Sequence, residues 1–210
     1  LAIYKQLANK FKVMHDHSIT HQDIKPANIM AKDSGLKDYR IIDLGLSVKV
    51  GGSVLGGTPL YNSPDKIRSS PRASTFHDVW ALSLTFAALE GSEDSLFRGI
   101  TASCVKLNFD YTCISTLKRN INSDLTRSGQ TGLIGIINSV IDSTSRTRIT
   151  TMEQLAAEIT KIMPVGVKKE EDKPIAEENF QDLLRSRNNA RELAKKDPVR
   201  AFEAEKDWKK

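Results

Sequence analysis

The side chains best able to do chemistry together stand in two short stretches, His21-Gln22-Asp23-Ile24-Lys25-Pro26-Ala27-Asn28 and Asp43-Leu44-Gly45. An acid, a lysine and an amide at fixed spacing, followed by an acid-apolar-glycine turn, suit phosphoryl transfer. That reaction asks little covalent work of a protein and runs on positioning and electrostatic stabilisation of charged reactants. A lone Asp-x-Lys would mean nothing, because charged loop residues are usually just solvated. Weight comes from further features that fall in order along the chain.

Those features belong to the elements that must position the two stretches. Tyr39-Arg40-Ile41-Ile42 reads as a short β-type run feeding Asp43. Beyond it come Gly56-Gly57-Thr58-Pro59-Leu60-Tyr61-Asn62-Ser63-Pro64-Asp65, then Asp78-Val79-Trp80-Ala81-Leu82, then Arg146-Thr147-Arg148-Ile149-Thr150. In this order they resemble the catalytic loop, metal-binding turn, peptide-binding loop, central helix and arginine loop of eukaryotic-type serine/threonine protein kinases.

The resemblance implies a mainly α fold with a small β hairpin, the large C-lobe of a protein kinase. It implies transfer of the ATP γ-phosphate to a protein serine or threonine hydroxyl, with ATP and Mg²⁺ as cofactors. Asp23 would orient and deprotonate the substrate hydroxyl, and Lys25 would hold the γ-phosphate. Asn28 and Asp43 would take Mg²⁺, and Lys25, Asn28, Met30 and Asp43 would line the cofactor site. Thr58 would touch Asp23 and Lys25 and help select a hydroxyl acceptor. His21 would pack the loop, Asp78 would grip its backbone, and Arg148 would pair with Asp65.

Four departures shape the expectation. Gln22 stands where many kinases carry arginine, and a neutral amide cannot make the charge-assisted pair that receives a phosphate. Phosphorylation of Ser47, Ser53 or Thr58 is therefore not expected to be the main switch. Leu44 replaces a phenylalanine, keeping apolar packing with a new shape, and Asp65 shortens the usual glutamate. Nothing before Ile19 reads as a glycine-rich phosphate loop, a strand lysine or its helix glutamate. The chain is thus expected to begin inside the C-lobe, with the N-lobe in other sequence, in another chain, or nowhere, and to be inactive alone. The competing expectation is a non-catalytic, pseudokinase-like scaffold or subunit of a larger assembly.

Periodicity supplies the rest. Leu1, Tyr4, Leu7, Ala8, Phe11 and Met14 recur at helical spacing up to His17. Residues 78–90, closed by Gly91, are apolar nearly all round and read as a buried helix, with Asp78 as a possible N-cap. Residues 92–104 read as a shorter helix, the stretch to Gln130 as polar and irregular, and 131–141 and 150–163 as amphipathic helices, the last capped by Thr150 or Thr151. This places a kinase-like domain at 1–164. A charged linker and helical tail follow at 165–210, where half the residues are charged and nearly balanced in sign. Within 175–210, Phe180, Leu183, Leu184, Leu193, Phe202 and Trp208 could anchor a protein partner in a groove.

With 39% hydrophobic residues in 210, a core is affordable, and a net charge of +5 without a basic stripe argues against nucleic acid. Ala27 gives no support for an arginine-directed substrate. His15, His17 and His21 are read as packing and helix-end residues rather than metal ligands. Cys104 and Cys113 are too few for a disulfide framework and are not spaced for zinc, so free or buried thiols in a reducing, intracellular and cytoplasmic setting are expected. No apolar run is long enough to span a bilayer. Leu1 is not a start methionine, so a removed targeting segment stays open.

Overall fold

The computed structural model describes residues 1–31, 39–67, 71–106, 109–142 and 148–164. The expected linker and docking segment, 165–210, and Arg146 and Thr147 lie outside the described residues. Helix α1 (Ala2–Asp16) is followed by strands β1 (Ile19–Thr20), β2 (Ile29–Ala31), β3 (Tyr39–Ile41) and β4 (Val48–Lys49). Helices α2 (Pro64–Ile67), α3 (Thr75–Glu90), α4 (Glu93–Leu96), α5 (Ala102–Lys106), α6 (Tyr111–Arg127), α7 (Gly132–Ile141) and α8 (Met152–Ile162) complete the described fold. It is mainly α.

Helix α3 forms the centre. Its residues from His77 to Ala88 are all buried, and Val79, Trp80, Leu82, Leu84, Phe86 and Ala87 are fully so. An apolar surface on every side lets several helices pack around it at once. Helix α1 turns Tyr4, Leu7, Ala8, Phe11 and Met14 inward, as its spacing predicts, and lies along α8 and α3. The N-cap of α3 is Ser74, whose hydroxyl accepts from the Phe76 amide. Asp78 therefore sits inside the first turn and is not the cap. Thr151 caps α8, in a reciprocal capping box with Gln154.

Three expectations are corrected. Residues 92–104 form two short helices, α4 and α5, because Ser92 caps the first and Gly99, at φ 78°, turns the chain before the second. The stretch toward Gln130 is the regular helix α6, capped by Asp110. It buries Cys113, Leu117, Ile121 and Leu125 at intervals of four among polar residues that mask the stripe. Cys104 and Cys113 are not free thiols but a disulfide. The chain reverses between α5 and α6 at Phe109, whose φ of 50° is left-handed, and this brings the two Cα atoms to 5.7 Å.

The β hairpin of β2 and β3 is present, antiparallel with Ile29 opposite Ile41. A second antiparallel pair, β1 with β4, has only two residues per strand. No described helix is long and apolar enough to cross a membrane.

Candidate active site

The two strand pairs hold the two chemical stretches together. Thr20 pairs with Val48 and its hydroxyl donates to the Val48 carbonyl at 3.1 Å, joining the start of the first loop to the end of the second. At the hairpin, the Ile42 amide donates to the Asn28 carbonyl at 3.1 Å, so Asp43 emerges beside Asn28. Asn28 ends a 3-10 turn, Pro26–Asn28, which proline at its first position favours.

A buried carboxylate below supports both. Asp78 is 1% exposed. One of its oxygens accepts from the His21 amide at 2.7 Å and lies 2.9 Å from His15 Nε2, while the other accepts from the Gln22 amide at 2.9 Å. Burial alone would raise its pKa, but the His15 contact, the nearby imidazoles and the Gln22 amide bring it below the ordinary carboxylate value. Asp78 thus grips the loop backbone.

His21 links the two stretches. It is fully buried, and burial lowers its pKa and keeps the ring neutral. A neutral ring has one donor and one acceptor. Here Nε2 faces the Ile42 carbonyl at 3.1 Å and takes the proton, while Nδ1 accepts from the Asp23 amide at 3.2 Å. Its ring also meets the edge of Phe11, with centroids 5.7 Å apart.

Asp23 is the hub. Its Oδ1 accepts from the Thr58 amide at 2.8 Å and the Thr58 hydroxyl at 2.7 Å. Its Oδ2 faces Lys25 Nζ at 3.0 Å and accepts from Asn28 Nδ2 at 3.1 Å. Lys25 also donates to the Thr58 hydroxyl at 2.8 Å. Burial pushes the Asp23 pKa up, but the bonds from Thr58 and Lys25 outweigh it and hold the group ionised below its ordinary value. Asn28 Nδ2 additionally reaches the Asp23 carbonyl at 2.8 Å, which leaves its amide oxygen on the opposite side.

Other predicted residues stand further out. Asp43 is exposed at φ 60°, with one carboxylate oxygen accepting from the Gly45 amide at 3.3 Å. Leu44 packs on the core, as an apolar exchange allows, and Met30 is 40% exposed on β2. Arg148 donates to the Val140 carbonyl at 3.3 Å and covers the Phe76 ring at 4.2 Å. Burial lowers its pKa, while the Asp65 carboxylate lies within electrostatic reach and favours its charge.

Asn28 and Asp43 offer oxygen donors and no sulfur or imidazole, the chemistry Mg²⁺ prefers when water and phosphate complete its shell. No larger cluster of His, Cys, Asp and Glu able to hold a metal occurs among the described residues. The donor set fits the cation.

Sequence reasoning missed Lys66, which is 6% exposed and donates to the Gln22 carbonyl. A lysine in a four-residue helix gives no linear signal of burial. It also missed a cavity of about 300 Å³ beside Thr58, walled by Leu60, Tyr61, Phe97 and Ile100, with Glu93 holding the Tyr61 hydroxyl at 2.6 Å.

Comparison with known proteins agrees with this geometry. A family model described as protein kinase domain matches residues 2–159. Over 85 residues, 39% of this chain, it is 38% identical to sperm motility kinase 3A of Mus musculus, covering 16% of that protein. Over 95 residues, 42% of this chain, it is 34% identical to serine/threonine-protein kinase 17A of Oryctolagus cuniculus, covering 24% of it. The chain thus spans under a quarter of the length of these relatives. The structure of the Cydia pomonella granulovirus kinase PK-1 superposes with a TM-score of 0.50 at 21% identity, over 73% of this chain and 56% of that one, a likeness of fold.

Proposed function

The chain belongs to the protein kinase domain family, and from that premise we propose that the protein transfers the γ-phosphate of ATP to a serine or threonine hydroxyl of a protein substrate. The observation that carries this reading is the Thr58 hydroxyl, which donates to Asp23 at 2.7 Å while accepting from Lys25 at 2.8 Å. An aliphatic hydroxyl there is already presented to a carboxylate beside a fixed ammonium. A substrate hydroxyl needs the same reception.

Asp23, held ionised, orients the incoming hydroxyl and receives its proton. Lys25 places positive charge where phosphoryl oxygens develop charge. Asn28 and Asp43 would hold Mg²⁺, with Met30 against the nucleotide, and the bound ion would neutralise the triphosphate. Thr58 rests against the first two groups and favours a serine or threonine over a bulkier phenol.

Phosphate transfer by the full-length protein to a mixed serine- and threonine-containing substrate tests this. Asp23→Asn should lower kcat at least 100-fold with nucleotide still bound. Asp43→Asn should abolish the Mg²⁺-dependent heat of ATP binding in calorimetry. A wild-type protein giving neither transfer nor heat would replace the enzyme reading with the scaffold one.

A further inference from the structure

Beneath the catalytic loop, Gln22 has a left-handed backbone, φ 72°, and is 2% exposed. That turn points its carbonyl inward, where an unpaired acceptor is costly. Neighbouring donors are already committed, since the Gln22 amide serves Asp78 and the Asp23 amide serves His21. The donor that reaches the Gln22 carbonyl is Lys66 Nζ, which arrives from α2 across the peptide-binding segment.

The same ammonium is packed against that segment. A Cβ added to Gly57 would collide with Lys66 Nζ and stand 2.7 Å from both Asn62 Oδ1 and the Gln22 carbonyl oxygen. Gly57, at φ 138°, is therefore the floor of a cradle that gathers a cation, an amide and a carbonyl. Its neighbour Thr58 binds Asp23, and the carbonyl it covers belongs to the peptide leading into Asp23. One buried charge thus touches both sides of the junction on which the acceptor geometry depends.

We infer that Lys66 is a positioning residue for phosphoryl transfer, a built-in clamp that locks the Gln22–Asp23 peptide to the Gly57–Thr58 segment. The inference rests on the proposed function and deepens it. Gln22 supplies no cation to the loop, and Lys66 brings one from the opposite side without any phosphate group. Burial pulls the Lys66 pKa down to about 8, against the favourable charges of Asp78 and Asp23, so the group sits where a charge is expensive.

The test uses the full-length protein with Lys66→Met, which removes donor and charge, and with Lys66→Gln, which keeps a polar side chain one bond too short to reach the Gln22 carbonyl. Both should lower kcat at least tenfold with KM for ATP within twofold. Both should also raise amide hydrogen exchange at least tenfold in residues 20–24 and 56–62, leaving α6 to α8 protected as before. Unchanged kcat and exchange would overturn the clamp, and so would a uniform loss of protection, which marks a purely structural lysine. If Lys66→Met does not fold, Lys66→Gln decides alone by the same two readings. Loss of transfer by the wild-type protein would instead strike the proposed function, and the positioning role with it. An active wild type matched by active variants would strike the Lys66 role alone.

Discussion

Lys66 holds a charge in a place that disfavours charge, and this makes stability depend on pH in a defined direction. Its pKa falls from an ordinary 10.5 to about 8 through burial. Below pH 8 the folded and unfolded chains both carry the proton, and folding bears the full cost, roughly 3 kcal/mol for such a shift. Between about pH 8 and 10.5 the unfolded chain binds a proton that the folded one has released, so stability rises with pH and the cost fades. Tyr4 and Tyr61 work the other way. Burial raises their pKa above the ordinary 10.0, so the unfolded chain ionises first and stability falls above that pH. The difference between wild type and Lys66→Met cancels the tyrosines. Urea unfolding at pH 7.5, 9 and 10.5 should show wild type gaining roughly 3 kcal/mol relative to the variant. Parallel pH profiles for the two proteins would contradict it.

At the scale of elements, legibility followed linearity. The Asp23 loop, the Asp43 turn and α3 could be read because their partners lie close in sequence or their apolar pattern is unbroken. Asp78 is the instructive long-range case. Its grip on the loop followed from the family resemblance, while its imidazole partner, His15, read only as the end of a helix. Helix α6 was hidden because its buried residues are spaced among Lys118, Arg119, Asn120 and other polar side chains. The Cys104–Cys113 bond was hidden because closure depends on the reversal at Phe109, a backbone property that cysteine spacing does not encode. That bond closes a loop of nine residues' separation and packs with Ile67 of α2, which follows Lys66. Loop-closure entropy for so short a ring is worth about 2–3 kcal/mol. Cys104→Ser paired with Cys113→Ser should lower Tm by about 5–10 °C, with exchange rising first in α5, the start of α6 and α2. An unaltered Tm, or titration of two thiols in the unreduced denatured protein, would count against the bond.

Across the whole molecule, the site is tied to the core beneath it through Phe11 and His21. Helix α1 was legible from its apolar spacing, but its link to the chemistry was not, since the partner ring arrives from another segment. Phe11 is 1% exposed within the α1, α3 and α8 core, and its ring supports His21, which ties the Asp23 loop to the Ile42–Asp43 turn. A large-to-small change there both opens a cavity and removes one wall of the imidazole. Phe11→Ala should cost about 3–5 kcal/mol of unfolding free energy, whereas Leu55→Ala, at a position 58% exposed, should stay within about 0.5 kcal/mol. Because His21 Nδ1 holds the Asp23 amide, Phe11→Ala should also loosen residues 21–24 more than α7, although α7 packs on the same core. Denaturant titration with residue-resolved hydrogen exchange measures both effects. Comparable losses for the two variants, or equal loosening of α7 and the loop, would separate the core from the site and undo the coupling.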